Sequence, residues 1–188
     1  MYDELIWDYL KTSAEAVGQL GDISEDIAAA ANIIIRSIRE EGKIIIFGNG
    51  GSAADSQHFA TELVARFRKD RPSLNAVALT TNSSMLTAIG NDDGFRNIFK
   101  RQVEAIGRRG DAAVAISTSG NSENILEGAR AAKEAGLKII AFTGAAGGEL
   151  AEIADVSIKP ASGITSHVQE CHLIAYHLIC YIIEEELF

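Results

Sequence analysis

The sequence predicts an α/β fold: a five-stranded, doubly wound parallel sheet flanked by helices, with further helices at both ends of the chain. Two observations predict it. Short apolar runs without polar alternation recur between residues 43 and 158, the pattern of strands covered on both faces. Longer stretches with apolar residues at helical spacing separate them, as expected where each strand is followed by a crossover helix.

In chain order, residues 3–41 carry apolar positions at helical spacing in two pieces, broken at Gly21-Asp22-Ile23-Ser24. Ser24 is placed to cap the second piece. Strands are expected at 43–47, 76–79, 112–116, 138–142 and 156–158, and helices at 52–68, 83–90, 94–107, 122–136 and 147–154. The chain closes with a strongly apolar helix over 165–187 that holds three of the four histidines, His167, His172 and His177. A single small sheet leaves little surface for so much apolar area. With the leading helices, the closing one therefore points to a bundle buried against other subunits, and so to a homo-oligomer. No linker, low-complexity tract or repeat divides the chain, which is expected to be one domain over 1–188, with 1–41 as leading helices.

Composition narrows the function. At 188 residues and 47% hydrophobic content the chain can bury a sizeable core. A net charge of −9 repels polyanions, which argues against a nucleic-acid or anionic-membrane surface, so any bound phosphate must be held locally. Residues 1–8 carry acids where a signal peptide carries lysines, and no apolar run approaches the ~20 residues that span a bilayer, so a cytoplasmic protein is expected. Cys171 and Cys180 share the last helix ~13 Å apart, too far for a disulfide, and are expected to be reduced and buried.

In doubly wound sheets ligands gather beyond the carboxyl ends of the strands. Two turns there stand out. Gly48-Asn49-Gly50-Gly51-Ser52 follows the first strand and opens a helix at Ser52, where glycines allow close approach of an anion and the helix start offers free N–H groups. A tight turn with a serine cap fits the same residues. Ser117-Thr118-Ser119-Gly120-Asn121-Ser122 is more specific: four hydroxyls surround a strand-to-helix turn and can wrap a phosphate dianion without lysine. With no P-loop Lys and no evident Mg²⁺ ligands, a monophosphate fits better than a nucleotide. An N-cap with spare serines is the plainer alternative.

Between the turns, His58 and Glu62 lie four residues apart on one helix face, with Arg66 one turn later. A glutamate beside a sugar carbon can move a proton between C1 and C2, and a His/Glu pair at this spacing can also hold a divalent metal. A solvated face with an ion pair is the bland reading. Gln169 and His177 are eight residues and ~12 Å apart along the last helix, which strains a shared contact with one ligand. A lone histidine in an apolar helix is commonly a core residue. Gly90-Asn91-Asp92-Asp93-Gly94 fits a helix stop, and in the basic run Arg66, Arg68, Lys69, Arg71 only Arg66 is assigned to the site.

Taken together these stretches are similar to the phosphoheptose isomerases, enzymes of the sugar-isomerase (SIS) domain family with a flavodoxin-like three-layer sandwich. The resemblance covers nearly the whole chain. It is carried by Gly48-Asn49-Gly50-Gly51-Ser52-Ala53-Ala54-Asp55, His58-Phe59-Ala60-Thr61-Glu62-Leu63, Ala78-Leu79-Thr80-Thr81, Ala88-Ile89-Gly90-Asn91-Asp92, Ile116 to Ser122, and Gln169-Glu170 followed by His177. It implies an aldose–ketose isomerase acting on D-sedoheptulose 7-phosphate through an enediol(ate), with Glu62 and His177 as the acid/base pair. It implies substrate contacts from Asn49, Gly50, Gly51, Ser52, Asn91, Asp92, Ser117, Thr118, Ser119, Ser122 and Gln169, with the serines on the phosphate. Some members bind zinc, for which the matching ligands are His58, Glu62, Gln169 and His177. Members are homotetramers with sites assembled between subunits. One departure is His167, where the family often has arginine. A second reading is a non-catalytic SIS tetramer that binds a protein such as the replication initiator; retention of both Glu62 and His177 argues against it.

Overall fold

The computed structural model describes residues 2–188. Two helices lead, α1 (Tyr2–Gly18) and α2 (Ser24–Arg39). Between them Gln19–Ile23 forms a 3-10 turn rather than a break, and Ser24 is the first residue of α2 and makes no capping bond, contrary to the role its position suggests. Then strands and helices alternate: β1 (Ile44–Gly48), α3 (Gly51–Val64), β2 (Ala76–Ala78), α4 (Ser83–Asp92), α5 (Lys100–Ile106), β3 (Ala112–Ile116), α6 (Glu123–Glu134), β4 (Lys138–Phe142), α7 (Gly148–Ile153), β5 (Val156–Ile158) and α8 (Thr165–Leu187).

All strand pairs are parallel, in the order β2-β1-β3-β4-β5. The order reverses between β1 and β3, and Gly48 stands in register with Ile116. The two predicted turns therefore leave the sheet side by side, at the crevice where such folds bind ligands. Alternate strand residues serve two cores. Ile44, Ile46, Val114, Ile116, Ile140 and Phe142 pack under α2, α3 and α8, while Ile45, Phe47, Ala113, Ala115, Ile139 and Ala141 pack under α5, α6 and α7. Burial on both faces is why these runs show no polar alternation.

Three departures from the predicted helices bear on the site. The segment predicted as one helix over 94–107 splits into a 3-10 turn at Phe95–Asn97 and α5, because Ile98 and Phe99 turn into the core. Helix α4 runs on through Asn91 and Asp92, so these residues form its last turn rather than a loop. Helix α3 stops at Val64, short of Arg66. The closing helix also spends much of its apolar surface within the chain: Cys171, Ala175, Tyr176, Ile179, Cys180 and Ile183 form a stripe on the first core. The cysteines are free and buried, as expected.

Candidate active site

The turn after β1 is built for close approach. A Cβ on Gly48 would meet the Ser52 carbonyl oxygen at 2.5 Å, and Gly50 adopts φ 54°. The side chain of Gln169, from α8, lies over Gly51, where a Cβ would come within 2.6 Å of its amide nitrogen. Asn49 and Asn124 exchange two amide hydrogen bonds, at 2.9 and 2.8 Å. That reciprocal pair ties the β1 turn to the first turn of α6, and Asn124 has no signal in the sequence beyond its place after the serine cluster.

The turn after β3 brings its hydroxyls together. Ser117 Oγ lies 3.2 Å from Ser122 Oγ and 3.4 Å from Ser119 Oγ. Gly120 N donates to Ser117 O, and Asn121 N to Ser119 Oγ. Ser122 stands at the N-cap of α6 but its hydroxyl makes no capping bond, so the plain capping role fails and the first turn of α6 has no side-chain cap from it. The loop after β4 supports this turn from below: Gly144 N donates to Thr118 O, Leu150 N to Gly120 O, and Glu149 N to Asn121 Oδ1.

On the other side of the β1 turn, α3 and α8 bring His58, Glu62 and His177 together, with one potential ligand atom of each within 4.8 Å of the others. Tyr176 is fully buried and stacks on Phe59, and its hydroxyl lies 2.8 Å from His58 Nδ1. Burial, and then Asp55, push its pKa far up, so it stays protonated; with the Glu62 carboxylate accepting at Nε2 of a neutral His58, the hydroxyl donates to Nδ1. His58 then carries its proton on Nε2, which lies 3.0 Å from Glu62 Oε1 and donates to it. This fixes the Glu62 carboxylate and leaves its second oxygen free. His177 meets His58 edge-on at 5.0 Å and lies against the Phe67 ring at 5.3 Å. Burial, then His58, lower its pKa while Glu62 opposes them; a neutral imidazole can both give and take a proton at neutral pH.

Two imidazoles and a carboxylate are a donor set that suits zinc. To ligate through Nε2, His58 would move its proton to Nδ1 and donate it to the Tyr176 oxygen, which accepts as readily as it donates. The residues fit the ion. Gln169 reaches Gly51, which stands two helical turns before His58 on α3.

Asn91 donates to Asp92 Oδ1 and both are exposed at the end of α4. Arg66 lies past the end of α3, exposed and 4.0 Å from Asp70, so it does not share a helix face with His58 and Glu62 as predicted. The cation of that basic run that turns inward is Arg71, buried against Glu184. His167, at the departure from the family pattern, is buried and bridges Thr12 Oγ1 (3.0 Å) and Glu170 Oε2 (3.2 Å). It docks α1 on α8.

Residues 8–144 match the SIS domain family. Over 187 residues, 100% of this chain and 99% of the relative, the sequence is 49% identical to the phosphoheptose isomerase of Rhodospirillum rubrum. It is 49% identical over 162 residues to that of Aquifex aeolicus, covering 86% of this chain and 85% of the relative. The structure of the phosphoheptose isomerase from Neisseria gonorrhoeae superimposes with a TM-score of 0.93 at 41% identity, covering 98% of this chain and 100% of that one.

Proposed function

The chain belongs to the SIS domain family and, within it, to the phosphoheptose isomerases, which are aldose–ketose isomerases, and from that membership we propose that it converts D-sedoheptulose 7-phosphate to D-glycero-D-manno-heptose 7-phosphate. The observation that carries the reading is a pairing: a hydroxyl-lined turn at the start of α6, beyond the carboxyl end of β3, and a Glu/His cluster further along α3 and α8, which sites assembled between subunits would bring to the same substrate. One end of a sugar phosphate is anchored while the other meets an acid/base pair.

In this mechanism Ser117, Thr118, Ser119 and Ser122, with the first amides of α6, hold the phosphate. Asn49 to Ser52, Asn91, Asp92 and Gln169 contact the sugar, with Arg66 at the rim. The free oxygen of Glu62 takes a proton from C1 of the open-chain ketose, the electrons move to form a C1–C2 enediolate, and Glu62 returns the proton to C2. His177 carries the proton that must pass from O1 to O2. His58, held by Tyr176, keeps Glu62 oriented. When zinc is bound, it would sit at His58, Glu62 and His177, with Gln169 as a fourth ligand supplied across a subunit boundary, and would polarise the carbonyl and enediolate oxygens.

We take 1–188 as one SIS domain, since α8, outside the matched stretch 8–144, supplies Gln169 and His177. Among the described residues no helix is long and apolar enough to cross a membrane, and we assign the enzyme to the cytoplasm as a homotetramer. The direct test is turnover of sedoheptulose 7-phosphate by purified protein. A positioned acid or base is worth ~10²- to 10⁴-fold, so Glu62→Gln should lose that much in kcat while its phosphate affinity, read by calorimetry, holds. Wild-type turnover by that variant would remove Glu62 from its role. No turnover by the native protein would favour a non-catalytic, partner-binding tetramer.

A further inference from the structure

Residues 65–74, between α3 and β2, are tied to α8 by a carboxylate that the reaction does not use. Glu184 and Arg71 have side chains only 1% exposed and meet at 2.9 Å. Glu184 Oε1 also accepts from Phe67 N at 3.0 Å, and Oε2 from Arg68 N at 2.8 Å and Lys69 N at 2.9 Å. Burial works to raise this carboxyl's pKa, but the three amides and the guanidinium outweigh it and hold it below the usual range. Arg71 reaches the other way. Its remaining nitrogens donate to Glu62 O at 2.7 Å and Leu63 O at 2.9 Å, the final carbonyls of α3.

Glu184 follows His177 by seven residues, two turns along the same face of α8. One enclosed ion pair therefore links the backbone of Glu62 to the helix that carries His177. The loop it folds lays the Phe67 ring on His177, with centroids 5.3 Å apart and planes 29° apart. Packing alone already joins α3 to α8 through Phe59, Leu63, Tyr176 and Ile179, and a buried ion pair adds little stability over apolar residues of the same shape. What the pair supplies beyond packing is a fixed separation of two side chains and the orientation of one ring.

We propose that Arg71, Glu184 and Phe67 are positioning residues that set the placement of His177 relative to Glu62. The proposal rests on the acid/base reading above. A displacement near 1 Å at a reacting group can cost ~10²-fold in rate.

The test compares Phe67→Leu, Glu184→Gln and Arg71→Lys with Glu62→Gln and His177→Asn. For each, kcat and KM for sedoheptulose 7-phosphate are measured, with the ring-proton resonances of His177. Phe67→Leu keeps the ion pair and should lower kcat about tenfold to 10²-fold at nearly unchanged KM. It should also move the His177 resonances downfield as the ring-current shift of Phe67 is lost. Glu184→Gln and Arg71→Lys should do the same through the loop. Should either fail to fold, Phe67→Leu decides alone. Native kcat and unmoved His177 resonances in Phe67→Leu would overturn the proposal, while Glu62→Gln and His177→Asn variants as active as the parent would instead overturn the acid/base reading beneath it.

Discussion

His172 shows how one side chain can carry a pH dependence without taking part in chemistry. It is completely buried on α8, its Nε2–H donates to Thr143 O at 2.9 Å, and its Nδ1 has no hydrogen-bond partner. Burial lowers its pKa to about 4, and the bond to Thr143 only partly offsets this. Above pH 6.5 the ring is neutral in both the folded and the unfolded chain. Between pH 6.5 and about 4 the unfolded chain takes up a proton that the folded one refuses, so stability falls as the pH falls. At ~1.4 kcal/mol per pH unit for one proton, the loss over that interval is about 3 kcal/mol. His172→Gln keeps a donor for Thr143 and removes the titration. Urea unfolding at several pH values should show the variant's acid limb shallower than the parent's by about that amount, and parallel limbs would show that His172 is not the source.

At the scale of elements, the phosphate turn depends on two loops locking together. Gly120 has φ +67°, and a Cβ there would fall 1.9 Å from the Gly147 carbonyl oxygen, while one on Gly148 would lie 2.7 Å from Ser119 O and 2.8 Å from the Gly120 backbone. Left-handed backbone costs a side chain ~1–2 kcal/mol, and a clash with fixed backbone adds to it. Gly120→Ala should therefore push the β3 and β4 loops apart, raising KM for the sugar phosphate at least ~10-fold, the loss of about one charge-assisted hydrogen bond. It should lower the melting temperature as well. A variant with parental KM would show that this turn does not hold the phosphate. Much of this level was legible in the sequence. Strands 112–116, 138–142 and 156–158 emerge with their predicted ends, because a run buried on both faces is apolar from end to end. The ends of helices were less legible where a distant group decides them. Val64 ends α3 because Arg71 takes the Glu62 and Leu63 carbonyls and Glu184 takes the next amides, and nothing local to 52–68 encodes a partner more than a hundred residues away. The same holds in the site. His58, Glu62 and His177 were recognisable by type and family pattern, whereas Tyr176, Phe67 and Asn124 are ordinary core or polar residues until the fold sets them beside a histidine or an asparagine.

At the scale of the whole molecule, α1 is docked on its own chain along one side only. Tyr9 and Ser13 donate to Glu170 and Thr12 meets His167, which docks one side of the helix on the start of α8. Its first half is otherwise bare: Tyr2, Leu5, Ile6, Trp7 and Leu10 are between 51% and 75% exposed. Monomers rarely leave so continuous an apolar stripe in water, and its natural cover in a homo-oligomer is the same stripe on a second copy. The stripe also lies next to Glu170, the neighbour of Gln169, so an interface here would bear on the candidate site. We expect light scattering to give a tetramer, and Leu5→Asp with Leu10→Asp to give smaller species, since burying two charges in an apolar contact is costly. Trp7 is the chain's only tryptophan, and its emission should move to the red as it enters water. If sites are completed between subunits, turnover should fall with the tetramer fraction. A monomeric parent protein with full turnover would rule out both the tetramer and the shared site, whereas dissociated variants that keep their turnover would retain the interface and remove only its part in catalysis.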